Sequence, residues 1–535
     1  MDLLRHYLLT VLIFLPLVWV IPLAIVRRRA VRWTALAGTL MTFCASLLLL
    51  ALFDWRAGSS YAYAVDGGVV QLVHRADLFP GLRIQYLVGI DGLNLPLVIL
   101  ATFIGALAAI ASWNVQRMTR GYFALLLLLE TAILGTFLSL DFFLFYIFLQ
   151  MSLLPIFLLI GVWGGPRREY AGIKFFLYTL VGSIALLIVM IALHLYSRHI
   201  IPGGTFDLIR MAGPEFQEKL PATIGRAHVG IARGLFILLL LGFFIKLPAF
   251  PLHGWLADAH ADSPVAVSMI LSSLLTKIGG YGILRIAYPI FPHPARTLWP
   301  IIALIGVVSL VWGALCALAQ NDLRRTIAYG CLSRMGLFTL GIAMFTKPSL
   351  DGAMFMLVAD GIISAALFFL ADVVITRTGR QEISQLGGIA DAMPLCGGFA
   401  ATAFFANLGL PGLCGFVPEI LVLFGTFIAA TAGNLLYIHA QARGWLGVFV
   451  FSVRALALIA CCAAVLTAGY LLLTLQRVFF GPRKTDQPDL VDLDQREIAV
   501  LTPLTIMIVL LGVFPWPTFF VLTSQTAAAV LKLFW

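Results

Sequence analysis

The chain has 535 residues, 61% of them hydrophobic and only 11% charged, with a mean hydropathy of +1.01. A soluble chain carries about 25% charged residues, so this composition excludes a water-soluble enzyme. The net charge of +10 comes from Lys and Arg scattered through short connections. That scatter excludes a nucleic-acid-binding face and reads instead as membrane topology.

A bilayer core needs about 20 apolar residues per helix. In chain order this rule predicts spans near 7–26, 33–53, 92–113, 121–140, 142–162 and 171–196. Further spans are predicted near 233–252, 262–287, 298–319, 325–345, 351–373, 396–430, 446–480 and 497–527. The expected fold is an all-α polytopic membrane protein of about fourteen transmembrane helices, because barrel strands would alternate polar and apolar residues. Met1–His6 leads into an apolar run too long for a signal-peptide core, so the first run reads as a span.

Basic residues cluster after odd-numbered spans: Arg27, Arg28, Arg29 and Arg32; Arg117 and Arg120; Arg167, Arg168 and Lys174. Arg324 and Arg325, Arg377 and Arg380, and Arg477, Arg483 and Lys484 continue the pattern. The positive-inside rule places these connections in the cytoplasm and both termini on the periplasmic side. The seven cysteines form no CxxC pair and lie mostly in apolar segments, so inert buried thiols are expected, with no metal or cluster site.

Ionisable groups inside spans cost roughly 2.5–3.5 kcal/mol each on insertion scales, so each suggests function. They are Glu130, Lys246, Lys277, Arg334, Asp360 and Glu419, in spans 4, 7, 8, 10, 11 and 12. Such a series suits ion movement through the protein. Lysine serves a relay because burial lowers its proton affinity and a nearby carboxylate raises it.

Two charged spans are interrupted. Pro248 and Pro251 follow Lys246, while Pro411, Gly412, Gly415 and Pro418 precede Glu419. Proline removes a helix hydrogen bond, and interrupted ion-bearing segments at matching places in two halves mark transporters with internal repeats. His253 and His260 follow the first break. They fit proton uptake or transfer better than metal binding, since no third ligand cluster lies nearby. No phosphate-binding glycine loop, dinucleotide fingerprint or haem pattern is present, so no nucleotide or redox cofactor is expected on this chain.

The segment Phe244-Ile245-Lys246-Leu247-Pro248, with Pro251-Leu252-His253-Gly254-Trp255-Leu256, Asp258-Ala259-His260 and Ser263-Pro264, resembles the signature of the proton-translocating antiporter-like family. Leu275-Thr276-Lys277-Ile278-Gly279-Gly280-Tyr281-Gly282, Asp322-Leu323-Arg324-Arg325-Thr326-Ile327-Ala328-Tyr329, Leu408-Gly409-Leu410-Pro411-Gly412 and Gln476-Arg477-Val478-Phe479-Phe480-Gly481-Pro482 extend the resemblance. Gly89-Ile90-Asp91-Gly92 and the span number are similar to the M-type members of bacterial NADH–quinone oxidoreductase, respiratory complex I.

The resemblance implies two inverted five-helix repeats, spans 4–8 and 9–13, each with a broken helix. It divides the chain into residues 1–120, 121–290, 291–481 and 482–535. It further implies a relay through Glu130, Lys246, Lys277 and Glu419, driven by quinone reduction elsewhere in the complex. FMN, iron–sulfur clusters and quinone are expected in other subunits. The expected partners are other membrane-arm subunits, especially the L and N types, with the bilayer of the bacterial inner membrane around them.

The sequence departs from this pattern at three places. Gln150 stands where the family carries a glutamate, and Arg334 and Asp360 each stand where it carries a histidine. Glutamine cannot ionise, which leaves Glu130 as a possible substitute partner for Lys246. Arginine does not release its proton in proteins. Arg334 and Asp360 are therefore expected to form an intramembrane ion pair; the path is then either impaired or altered, or kept as an ordinary relay by waters and Glu130. A subunit of a multi-subunit cation/proton antiporter, or a structural subunit with a disabled path, remain the alternatives.

Overall fold

The structure is a computed structural model that describes residues 2–54, 70–213, 229–431, 434–442, 446–484 and 490–520, together with residues 216, 217, 219, 444, 523, 527, 530 and 531. Twelve described helices are long and apolar enough to cross a membrane. The helix Val229–Lys246 and the broken pair Pro394–Leu408 and Phe416–Ala429 complete the predicted order. Predicted span 14 is helical over Gln495–Val513, with a π-helical turn at Trp516–Phe520. Most of its predicted end, 521–527, lies outside the described residues.

Burial divides these helices. Spans 8 (Val265–Ile290) and 11 (Lys347–Thr378) are buried along their whole apolar windows. A helix apolar all round belongs in the interior, and these two form the axis that carries Lys277 and Asp360. Spans 6 (Arg168–Ser197) and 9 (Pro292–Ala319) expose rows such as Ile173, Leu177, Val181 and Ile301, Leu304, Leu315, as expected of lipid-facing sides.

Predicted span 7 (233–252) ends six residues early, at Lys246. Pro248 and Pro251 lack the N–H groups needed to continue the helix. The chain runs irregularly through 247–255 and resumes as Leu256–Asp262. A carbonyl freed by the break, that of Ile245, accepts a hydrogen bond from Trp255 Nε1 at 2.8 Å.

The second break spans residues 409–415, where Gly409 and Gly412 adopt φ values of +81° and +91° that disfavour side chains. Pro411 lies inside this break. Pro418 does not: it occupies the first turn of Phe416–Ala429, where the N–H it lacks would have had no intrahelical partner.

Outside the spans the chain is not wholly helical. In the connection before span 3, Gln71–Phe79 (β1) and Ile84–Ile90 (β2) form an antiparallel hairpin. Leu140 N donates to Leu87 O at 2.9 Å, and Arg75 Nη2 bonds Asp207 Oδ2 at 2.5 Å, so the hairpin is tied to the end of span 4 and to the connection that follows span 6. The basic connections lie on the opposite side. There Asp258 meets Lys174 at 2.5 Å and Arg325 at 2.9 Å, and Arg377 meets Glu497 at 3.0 Å.

Candidate functional site

Lys277, on span 8, lies in the helical turn Thr276–Gly282 between two π-helical turns, Leu271–Leu275 and Ile283–Ala287. Its Nζ donates to Ser272 O at 2.7 Å and to Asp360 Oδ2 at 2.6 Å. Asp360, on span 11, presents its other oxygen Oδ1 to Arg334 Nε at 3.2 Å. Arg334, on span 10 (Leu323–Ala343), reaches Glu419 Oε1 at 2.6 Å through Nη1. The same Nη1 donates to Asn407 O at 2.8 Å, a carbonyl freed by the second break.

Four residues from spans 8, 11, 10 and 12 thus form one unbroken row of alternating sign: Lys277, Asp360, Arg334, Glu419. Side-chain exposure along the row is 0%, 1%, 3% and 18%, so only Glu419 approaches the outside. The formal charges cancel, which is the condition under which buried ions are tolerated. Glu419 also sits in the first turn of its half-helix, where the helix dipole favours an anion. A side chain at Gly409 would overlap the Glu419 carboxylate, so glycine supplies both the turn and the room. A cavity of about 20 Å³ borders Arg334, Glu419, Ser333 and Thr467, space for roughly one water molecule.

The expected Arg334–Asp360 contact is present. Lys277–Asp360 was not expected from the residues, since nothing local joins positions 83 apart. The remaining candidates stay outside the row. Lys246 is fully buried, and among the described residues its Nζ has no hydrogen-bond partner. Glu130 is buried with both oxygens equally unpartnered among the described residues.

Glu130 therefore does not take the place of the missing glutamate beside Lys246. Its carboxyl lies over Gly105 of span 3, where an added Cβ would sit 2.9 Å from Cδ and Oε1. A cavity of about 10 Å³ beside it is lined by Ile270 and Leu274 of span 8. Gln150 Oε1 is likewise buried and unpartnered. His253 lies in the first break and is half-buried, with Nδ1 unpartnered among the described residues. His260 is buried on the short helix Leu256–Asp262, stacked on Phe368 with ring centroids 4.3 Å apart, and neither ring nitrogen finds a partner among the described residues.

One buried charged pair escaped the sequence reading. Arg285, on span 8, bonds Asp91 at 2.6–2.7 Å, and both are nearly fully buried. Arg285 lies two residues from the predicted end of its span at 287, where a cation reads as a terminal, water-reaching side chain. The available signal was its spacing, eight residues beyond Lys277 with Tyr281 midway.

A polytopic helical protein with two broken helices and a buried row of opposite charges belongs among ion-translocating membrane proteins. The family described as NADH:quinone oxidoreductase/Mrp antiporter, transmembrane, matches residues 139–441. NADH-quinone oxidoreductase subunit M of Rhodobacter capsulatus is 35% identical over 518 residues, covering 95% of this chain and 93% of that protein. NAD(P)H-quinone oxidoreductase chain 4 of Gloeobacter violaceus is 32% identical over 511 residues, covering 95% and 89%. A chain of respiratory complex I from Thermus thermophilus superimposes with a TM-score of 0.78 at 28% identity, covering 98% of this chain and 100% of that one. A chain of the Mrp complex from Dietzia shares the fold at the same TM-score, with 20% identity. The chain belongs to the NADH:quinone oxidoreductase/Mrp antiporter family, in the group of subunit M and chain 4 proteins.

Proposed function

We propose that this chain is a proton-translocating membrane subunit of an NADH–quinone oxidoreductase, in which electron transfer in other subunits drives proton movement here. The observation that carries this reading is the continuous row Lys277–Asp360–Arg334–Glu419 leading to the second helix break. The relatives' names supply the redox partner reaction, and the row supplies groups able to hold a proton away from water.

In this reading Lys246 and Lys277 take up and release protons, His253 and His260 serve the uptake side, and Glu419 is the terminal carboxylate. Arg334 stays charged throughout. It therefore acts as a fixed cation between Asp360 and Glu419, and protons pass by the carboxylates and water rather than through the guanidinium. Glu130 acts alone, not as the counter-ion of Lys246. The halves 121–290 and 291–481 work as two inverted repeats, one around each break. The assembly lies in the bacterial inner membrane with both termini periplasmic, beside L- and N-type subunits, and FMN, iron–sulfur clusters and quinone belong to other subunits.

A second reading, a subunit whose path is disabled, is favoured by one observation: among the described residues Lys246 has no ionisable partner, with Gln150 where a carboxylate is expected. The first experiment is purification of the tagged chain in mild detergent, with partner identification and an NADH–quinone reductase assay. Co-purifying flavin and iron–sulfur subunits with NADH-driven quinone reduction support the proposal. Small membrane partners alone, without redox activity, transfer the chain to a cation/proton antiporter.

A further inference from the structure

Asp91 and Arg285 form a buried ionic pair away from the row, and no step of the proposed relay uses it. Asp91 directly follows strand β2 and opens span 3 (Asn94–Asn114). Its Oδ1 accepts hydrogen bonds from Leu93 N at 3.0 Å and Asn94 N at 3.1 Å, while Asn94 Oδ1 accepts one from Asp91 N at 2.8 Å. This reciprocal cap fixes the carboxylate on the end of the helix. Arg285 Nη2 then donates to Asp91 Oδ1 at 2.7 Å, and Arg285 Nε donates to the Tyr281 hydroxyl at 3.1 Å.

The Tyr281 hydroxyl in turn donates to Phe137 O at 2.9 Å, and Asn94 Nδ2 donates to the same carbonyl at 3.1 Å. The hairpin, span 3, the end of span 4 and span 8 therefore meet at one buried knot. Asp91, Asn94, Tyr281 and Arg285 are between 0% and 4% exposed.

The position of the knot on span 8 gives it consequence. Arg285 sits within the second π-helical turn, Ile283–Ala287, and Lys277 lies just before Tyr281 on the same helix. A π turn holds one residue more than the helix it interrupts, and relaxing it turns the rest of the helix by roughly 100°. Such a turn would carry Lys277 away from Asp360. A buried, multiply bonded guanidinium resists that rotation, because turning would leave two charges unpaired.

We infer that Asp91 and Arg285 are positioning residues: together they hold span 8 in the register that aims Lys277 at Asp360, and they link that register to the hairpin side of the molecule. This rests on the proton-translocating reading above. It predicts that removing the pair uncouples proton movement without stopping electron flow, since neither residue touches redox chemistry.

The test uses the whole complex in proteoliposomes, with protons moved per electron measured during NADH oxidation by quinone. Three samples are compared: the unaltered complex, Lys277→Ala, and the double variant Asp91→Leu with Arg285→Met. Replacing both charges by apolar groups avoids leaving one of them buried alone. The expected result is a ratio lowered in the double variant to the Lys277→Ala value, with subunit composition and NADH–quinone reductase activity retained.

A lowered ratio in Lys277→Ala with an unchanged ratio in the double variant overturns the inference and leaves the functional reading standing. An unchanged ratio in Lys277→Ala overturns both. If the double variant does not assemble, Arg285→Lys provides the same reading. Its ammonium cannot span Asp91 and Tyr281 as the guanidinium fork does, so a reduced ratio is expected and an unchanged one overturns the inference.

Discussion

Arg334 and Asp360 face each other within the buried centre of the protein, with Nε 3.2 Å from Oδ1. From the resemblance, a histidine is the residue expected at both positions. Here a permanent cation stands at one of these positions and an anion at the other. The pair is neutral by itself, and Lys277 and Glu419 extend it by one cation and one anion, so the whole row stays neutral.

Asp360 is the point of greatest dependence, since it is the single anion between two buried cations. Asp360→Asn leaves Lys277 and Arg334 adjacent without it. Breaking a buried pair in this way costs about 3–5 kcal/mol. We expect reduced assembly and a lowered melting temperature for Asp360→Asn, with Asp360→Glu much closer to the unaltered protein. Equal melting temperatures for the two variants, measured on the purified complex, would show that the charge at 360 does not hold the row together.

The unpartnered Lys246 makes a second prediction. Phe145 and Phe243 pack with ring centroids 6.4 Å apart, five residues before Gln150 and three before Lys246, so spans 5 and 7 run together at this level. Gln150→Glu places an ionisable group on the neighbouring span. If the path is impaired by the missing carboxylate, the number of protons per electron rises. An unchanged value in vesicles of matched tightness removes impairment at this position from the account.

On the hairpin side, outside the spans, Asp141 gives a pH dependence. Burial pushes its carboxyl up from 3.8 to about 7, against the hydrogen bonds donated by Leu144, Gln85 and Phe143, and the neighbouring Asp207 adds to the rise. A carboxyl raised on folding binds its proton more tightly in the native state. Its contribution to stability is therefore full below about pH 4 and is lost as pH climbs through about 7.

The slope is at most about 1.4 kcal/mol per pH unit. Asp141→Asn keeps the cap on the following helix but not the titration. Its melting temperature relative to the unaltered protein should therefore rise between pH 5 and pH 8. A constant difference would contradict the assignment.

Much of this arrangement was legible in the residues. Apolar runs gave the spans, Pro248, Pro251 and Pro411 gave the two breaks, and opposite signs at Arg334 and Asp360 suggested their contact. What was hidden depends on how distant spans pack. Lys277 meets Asp360 across 83 positions, and Glu130 turns toward Gly105 rather than Lys246 because packing, not charge, decides which face of span 4 meets which neighbour. Pro418 was misread because a proline begins a helix as readily as it breaks one. The hairpin was missed because a span count looks only for long apolar runs, and the π turns beside Lys277 have no sequence mark.

The central claim is that protons move through this chain by way of Lys277. The most direct measurement is protons translocated per electron by the reconstituted complex carrying Lys277→Ala, with assembly and NADH–quinone reductase activity checked on the same sample. The account predicts an assembled complex with a clearly lowered ratio. A fully assembled complex with an unchanged ratio would contradict it.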